Sequence, residues 1–192
     1  MRTIERIYTE FLEKKHIKPQ EDFYIKSYSY YVYFFAHKEQ LAIEDIILGI
    51  GLVYSWMPTI PKNIKFEFLD EALPILNRAK KGVNVSREEY VILKALCNNS
   101  LVGASKLLHF INPESFAIWD SKIYIYLYQE RAHKYKVEDI DKYIAYLDLL
   151  NQIARSNEFE PIIKNIQYLF DYEISKYRVI EWVMFNYNSF KN

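Results

Sequence analysis

The sequence predicts an all-α fold, as a single compact multi-helix domain or as two closely packed helical lobes. Two observations carry that prediction. Apolar residues recur at three- and four-residue spacing along most of the chain, as they do on the buried face of a helix. No alternating run finds a second alternating run to pair with, so a sheet has nothing to be built from. With 192 residues, 51% of them hydrophobic and only four glycines, the chain is long enough for one well-filled core and shows no disordered linker.

The elements follow in order. Residues 3–15 set Ile4, Ile7, Tyr8, Phe11 and Leu12 at helical spacing, and Pro19 marks the end of that helix. Residues 23–36 read two ways: Tyr28, Tyr30, Val32 and Phe34 alternate as in a strand, while Tyr24, Tyr28, Tyr31 and Phe35 share a helical face. The missing partner strand favours helix. Residues 43–56 form a strongly apolar helix in which Gly49 and Gly51 imply close packing against a neighbour. Pro58 and Pro61 make residues 57–62 a loop, and residues 65–79 resume a helix with Pro74 as a point of division. Ser86 and Glu89 have the spacing of a capping box, opening a helix that runs through Tyr90 to Cys97. Beyond residue 120, four further helices are expected over 121–130, 137–153, 161–171 and 176–187.

Residues 101–122 hold the candidate chemistry. A helix beginning near Gly103 puts Ala104, Leu107, Leu108 and Ile111 on one face and Ser105, Lys106 and His109 on the other. After a loop containing Pro113, Asp120 stands just before the periodic residues Ile123, Tyr124, Leu127 and Tyr128, the position of an N-cap. A carboxylate there sits at the positive end of a helix, which favours a permanent anion.

A helix at 90–97, a turn at 98–103, a second helix at 104–111 and a closing Trp119-Asp120-Ser121 resemble, in their order, the helix-hairpin-helix DNA glycosylases, including the 8-oxoguanine-type branch. The similar segment spans residues 86–130. The sequence departs from the family in having Ser100 for the first hairpin glycine, a shorter loop before the aspartate, and Ser105 where bifunctional members carry their lysine, with Lys106 one residue further on. The resemblance implies a DNA base-excision N-glycosylase acting on a damaged base, with no cofactor and no metal. It implies Asp120 as the electrostatic and water-orienting carboxylate and Lys106 as a candidate Schiff-base amine. The hairpin amides of Val102, Gly103 and Ala104 would grip the DNA backbone, with Ser105, His109 and Lys122 as further DNA contacts, and Phe116 and Trp119 would wall a pocket for an extruded base.

Bonds of that kind break with positive charge building on the sugar, so a carboxylate beneath it is what the reaction needs. The plainer alternatives stay open. Asp120 as a cap alone stabilises by about 1 kcal/mol, Lys106 serves equally as a phosphate contact or a solvated side chain, His109 as a hydrogen-bonded structural residue, and Phe116 and Trp119 as core. Tyr54 and Trp56 are further possible pocket walls.

Charge bounds the partners. The chain has 25 basic and 25 acidic residues, against the basic excess of a general nucleic-acid binder, and leaves residues 78–81 and 131–136 as local basic patches. Neutrality and the short loop favour the second reading, a non-catalytic helical DNA-binding or protein-interaction module. Eighteen tyrosines and 12 phenylalanines fit either an AT-rich coding sequence or base-stacking surfaces. The single cysteine, Cys97, lies in an apolar run and reads as a buried thiol. Charges flank the first apolar residues and no apolar run is long enough to span a bilayer, so a cytoplasmic location without membrane contact is expected. Phosphate-loop, dinucleotide-binding, zinc-protease and Gly-x-Ser-x-Gly patterns do not occur.

Overall fold

The ambiguous tyrosine-rich segment settles the architecture. It forms helix α2 (Phe23–Ala36), because Asp22 caps it by accepting the amide proton of Ile25 at 2.9 Å and the helical pair Tyr28 and Phe35 turns into the core. The structure, a computed structural model, describes residues 1–14, 22–57 and 59–187. Ahead of α2 lies α1 (Ile4–Lys14), which buries Ile7 and Phe11; the stop expected at Pro19 lies outside the described residues, as does Pro58.

Next come α3 (Ile43–Ser55), a 3-10 turn at Phe66–Phe68, and α4 (Leu69–Lys80), through which Pro74 passes without ending the helix. The expected capping box opens α5 (Arg87–Leu96): the Glu89 amide donates to Ser86 Oγ at 3.2 Å and the Ser86 amide donates to Glu89 Oε2 at 2.9 Å. Helix α6 (Leu101–Ile111) begins two residues earlier than Gly103, and α7 (Ser121–Tyr128) follows. The single helix expected over 137–153 is two, α8 (Lys134–Val137) and α9 (Ile140–Arg155). Asp139 restarts the chain by accepting from the amides of Asp141 and Lys142. Last are α10 (Glu160–Gln167) and α11 (Lys176–Asn186).

All eleven helices share one core, with no strand among the described residues, and none is long and apolar enough to cross a membrane. Two helices form its axis. Helix α6 packs against α2, α3, α4 and α5, and only Val102 and Lys106 along it escape full burial. Helix α11 packs against α7, α9 and α10 and buries everything from Tyr177 to Met184, including Arg178 and Glu181.

The two glycines of α3 do different work. A methyl group on Gly49 would stand 2.5 Å from Phe35 Cζ and 2.9 Å from Leu107 Cδ1, both in the core, whereas one on Gly51 would meet nothing within 4 Å. The close approach inferred for both is real only at Gly49. Gly49→Ala is therefore expected to cost about 1–3 kcal/mol by overpacking, and Gly51→Ala to gain about 0.5–1 kcal/mol from helix propensity. Urea unfolding of the two variants measures both.

Candidate functional site

The approach to α6 is a tight turn rather than an open hairpin. Asn98 and Asn99 take left-handed conformations at φ 57° and 54°, which asparagine tolerates better than most residues. Asn98 Oδ1 also accepts from the amides of Lys62 and Asn63 at 3.1 and 2.7 Å, tying down the loop that carries Pro61. Gly103 sits inside the first turn of α6, where a methyl group would be 3.3 Å from both Cys97 Cβ and Tyr54 Oη. The leading amides are already engaged: Leu101 donates to Glu138 Oε2 at 2.7 Å, Gly103 to Ser100 Oγ at 3.1 Å and Ala104 to Ser100 O at 3.0 Å. The chain's own carboxylate, held by Lys94 at 3.1 Å, thus fills the anion site of this helix end. That corrects the expected phosphate grip at Gly103 and Ala104.

Buried side chains then lock the loop that delivers Asp120. Ser105 Oγ donates to Val102 O at 2.9 Å and accepts the Trp119 amide proton at 3.0 Å. Tyr143 Oη donates to Ala117 O at 3.0 Å, and Trp119 Nε1 to Val137 O at 2.7 Å. His109 Nδ1 lies 2.7 Å from Phe116 O, which only accepts, so Nδ1 carries the proton and Nε2 accepts from Tyr28 Oη at 2.9 Å. At the end of this braced loop Asp120 is half-buried, and its Oδ1 accepts from the amides of Lys122 and Ile123 at 2.8 and 3.0 Å, the cap read from the sequence.

A polar cluster faces that cap. Lys106, half-buried on α6, donates from Nζ to Trp56 O at 3.2 Å, the carbonyl at the negative end of α3. Burial lowers the Lys106 pKa; Arg178 acts in the same sense, while Asp120 and Glu181 oppose it. Asp120 and Lys106 are therefore within electrostatic reach of each other. From α11, the fully buried Arg178 guanidinium donates to Glu181 Oε2 and lies 5.1 Å above the Tyr28 ring and 5.6 Å above that of Trp56. Burial pushes Glu181 up to about 7, against the pull of Arg178. Ser27 Oγ fixes the Trp56 indole at 2.8 Å, and Tyr172 lies 5.6 Å from Tyr28. Among the described residues, three buried polar atoms here have no partner: Arg178 Nε, Tyr146 Oη and Tyr172 Oη. Burying a polar atom without a hydrogen bond is unfavourable, which sets these three apart from the rest of the core.

No family model, curated protein or solved structure matches the chain. The site therefore rests on its own geometry.

Of the residues expected from the sequence, Asp120 and Lys106 lie within electrostatic reach of one another, and Lys122 is exposed, with Nζ 4.0 Å above the Phe185 ring. Ser105 and His109 do not face outward as helical spacing suggested; both are fully buried braces, because α6 is wrapped on nearly every side. Phe116 and Trp119 are core residues, with Trp119 enclosed by Tyr124, Tyr143 and Tyr146, which corrects their expected place as pocket walls. Tyr54 donates from Oη to Cys97 O at 3.0 Å. Burial pushes the Cys97 thiol up to about 12, which leaves it inert at neutral pH. Among the described residues no group of three His, Cys, Asp or Glu is arranged for a metal ion. The basic patches are partly spent: Arg78 pairs with Glu89, and Lys136 with Glu130 at 2.6 Å.

The sequence reading missed Tyr28, Tyr146, Tyr172, Arg178 and Glu181. One signal was present, since Arg178 and Glu181 interrupt an otherwise apolar helical run at i, i+3 spacing.

Burial at this site has opposite consequences for two groups. His109 is pushed down to about 3 from an ordinary 6.5, mainly by burial, so its stabilisation is complete above pH 6.5 and drains as pH falls toward 3. Glu181, raised to about 7 from 4.5, contributes fully below pH 4.5 and loses its contribution as pH rises through 7. Between pH 4.5 and 6.5 the two slopes, about 1.4 kcal/mol per pH unit each, oppose one another. Glu181→Gln should unmask the histidine, so its melting temperature falls more steeply on acidification from pH 6.5 to 4.5 than that of the parent. Parallel curves for the two proteins would contradict this.

Proposed function

We propose that the chain is a DNA base-excision N-glycosylase-like enzyme acting on a damaged base, with Asp120 as the electrostatic and water-orienting carboxylate. The observation that carries this reading is that Asp120 and Lys106, both half-buried, lie within electrostatic reach of one another beside the Trp56 carbonyl that holds the lysine. A carboxylate anchored by two amides offers a fixed negative charge to a sugar developing positive charge, without having to reorganise. Burial makes the Lys106 amine easier to free of its proton, which is the condition for attack on a sugar carbon. Arg178 Nε, Tyr146 Oη and Tyr172 Oη, without a partner among the described residues, are polar capacity that a bound heterocycle would use.

The test is incubation of the full chain with duplexes carrying 8-oxoguanine, uracil or alkylated bases, with and without borohydride. Abasic product, with a borohydride-trapped adduct mapped to Lys106, supports both residues; product without adduct supports Asp120 alone. No product from any duplex removes the reading.

One observation favours the second reading, a helical module without chemistry: Glu138 and Ser100 occupy the α6 amides that DNA would otherwise use. Duplex affinity measured against salt separates the branches. A flat dependence means few phosphate contacts and a protein partner.

A further inference from the structure

The end of α7 away from Asp120 borders an open cleft of about 340 Å³, at the small end of the roughly 300–1,000 Å³ that small-molecule sites occupy. Its walls are Arg2, Ile125, Tyr126, Gln129, Glu130 and Arg131, none of them part of the proposed reactive centre. Arg2 is built into this wall, with a side chain only 9% exposed. Its amide donates to Leu127 O at 2.7 Å and its Nε to Tyr126 O at 2.5 Å, two carbonyls of the last turn of α7. Its Nη1 donates to Glu10 Oε1 at 2.6 Å, and its guanidinium lies 4.6 Å above the Tyr126 ring and 5.1 Å above that of Tyr187. Glu10, 1% exposed, is itself held by Arg6 Nε at 2.8 Å and by Tyr126 Oη at 2.7 Å. A cation fixed in this way is ordered before any ligand arrives, so binding does not bear that cost. Its bonds use Nε and Nη1; the two protons of Nη2 find no acceptor among the described residues.

The rest of the lining sorts by charge. Glu130 is neutralised within the fold: Oε1 accepts from Tyr124 Oη and Oε2 from Lys136 Nζ at 2.6 Å. Arg131, exposed and without an ion-pair partner among the described residues, adds a planar fork of donors. Gln129 is held in the left-handed region at φ 56°, where a glycine would sit without strain, so keeping a side chain there costs the fold. Its carboxamide bonds to no described residue.

Arg2, Arg6, Lys136 and Arg131 outnumber the carboxylates Glu10 and Glu130, so an anion is the favoured occupant. The excess is small, and the carbonyl end of α7 subtracts from it. That balance suits one negative charge better than two, a carboxylate rather than a phosphate. Ile125, 38% exposed, supplies an apolar wall for the carbon skeleton. We propose that this cleft binds a small organic carboxylate, with Arg131 as its bidentate clamp and Arg2 Nη2 and the Gln129 carboxamide as supporting donors. The site is independent of the chemistry of Asp120 and Lys106.

The experiment titrates the 15N-labelled full chain with benzoate, benzamide and phenyl phosphate, followed by NMR. Benzoate should saturate and shift the backbone amides of Gln129 and Arg131. Benzamide should bind at least about tenfold more weakly, for want of charge-assisted bonds, and phenyl phosphate no more tightly than benzoate. Arg131→Gln, a surface change, should keep the fold and weaken benzoate about tenfold or more; Arg131→Lys should recover only part, since an ammonium cannot form the paired bonds. Lys134→Gln, which removes an exposed cation outside the lining, should leave the affinity unchanged. The proposal is overturned by benzoate that does not saturate, by benzamide of equal affinity, or by an Arg131→Gln that binds as the parent does. Tighter phenyl phosphate overturns the carboxylate class, and an equal loss in Lys134→Gln reduces the site to diffuse surface charge.

Discussion

On the proposed glycosylase reading, Asp120→Asn is expected to reduce base release by roughly 10²–10³-fold while barely changing the fold. The asparagine Oδ1 can accept the same two amide protons, from Lys122 and Ile123, and asparagine caps helices as well as aspartate does. What disappears is the charge, whose interaction with the helix end is worth about 0.3–1 kcal/mol, a drop in melting temperature of about 1–4 °C for a chain this long. Single-turnover release from the most reactive duplex, alongside thermal melting, separates catalysis from capping. Undiminished release would leave Asp120 a cap and nothing more.

Trp119→Ala should be the most destabilising change among the residues first considered for base recognition, by about 3–5 kcal/mol. The indole has no exposed surface, packs 5.3 Å from the Tyr146 ring and spends its N–H on Val137 O. Removing it leaves a void among Tyr124, Tyr143 and Tyr146 and strands the buried carbonyl of Val137. Trp119→Phe keeps most of the packing and costs about 1–3 kcal/mol for that unpaired oxygen. Equilibrium unfolding in urea, followed by circular dichroism, gives both values. Parent-like stability in Trp119→Ala, with base release lost, would return this ring to the binding surface.

Local signals were legible and tertiary ones were not. Ser86 with Glu89, and Asp120 before Ile123, could be read because a cap is decided within four residues of chain. The split at Asp139 escaped because apolar spacing runs through it, and only the engagement of the Asp141 and Lys142 amides reveals the restart. Ser105 and His109 were assigned to the wrong environment because periodicity identifies one apolar face, whereas α6 is covered by four helices. The turn shows the same limit. Gly103 suggested a phosphate-binding backbone, but which atoms meet its amide depends on Ser100 beside it, and what fills the helix end depends on Glu138, 35 residues away. Half of the site lies on α11, and nothing in the spacing of residues 101–122 announces that Arg178 and Glu181 arrive opposite Lys106.

The missing side chain at Gly49 acts as a shim of zero thickness. Its neighbour across the interface is Leu107, next in sequence to the lysine whose amine hangs 3.2 Å from the last carbonyl of the same α3 helix. The separation of two scaffold rods and the reach of the Lys106 amine are thus linked through one absent methyl. Widening that gap pulls Lys106 off its tether without altering either partner of the bond, so a substitution deep in the core can decide where this amine sits.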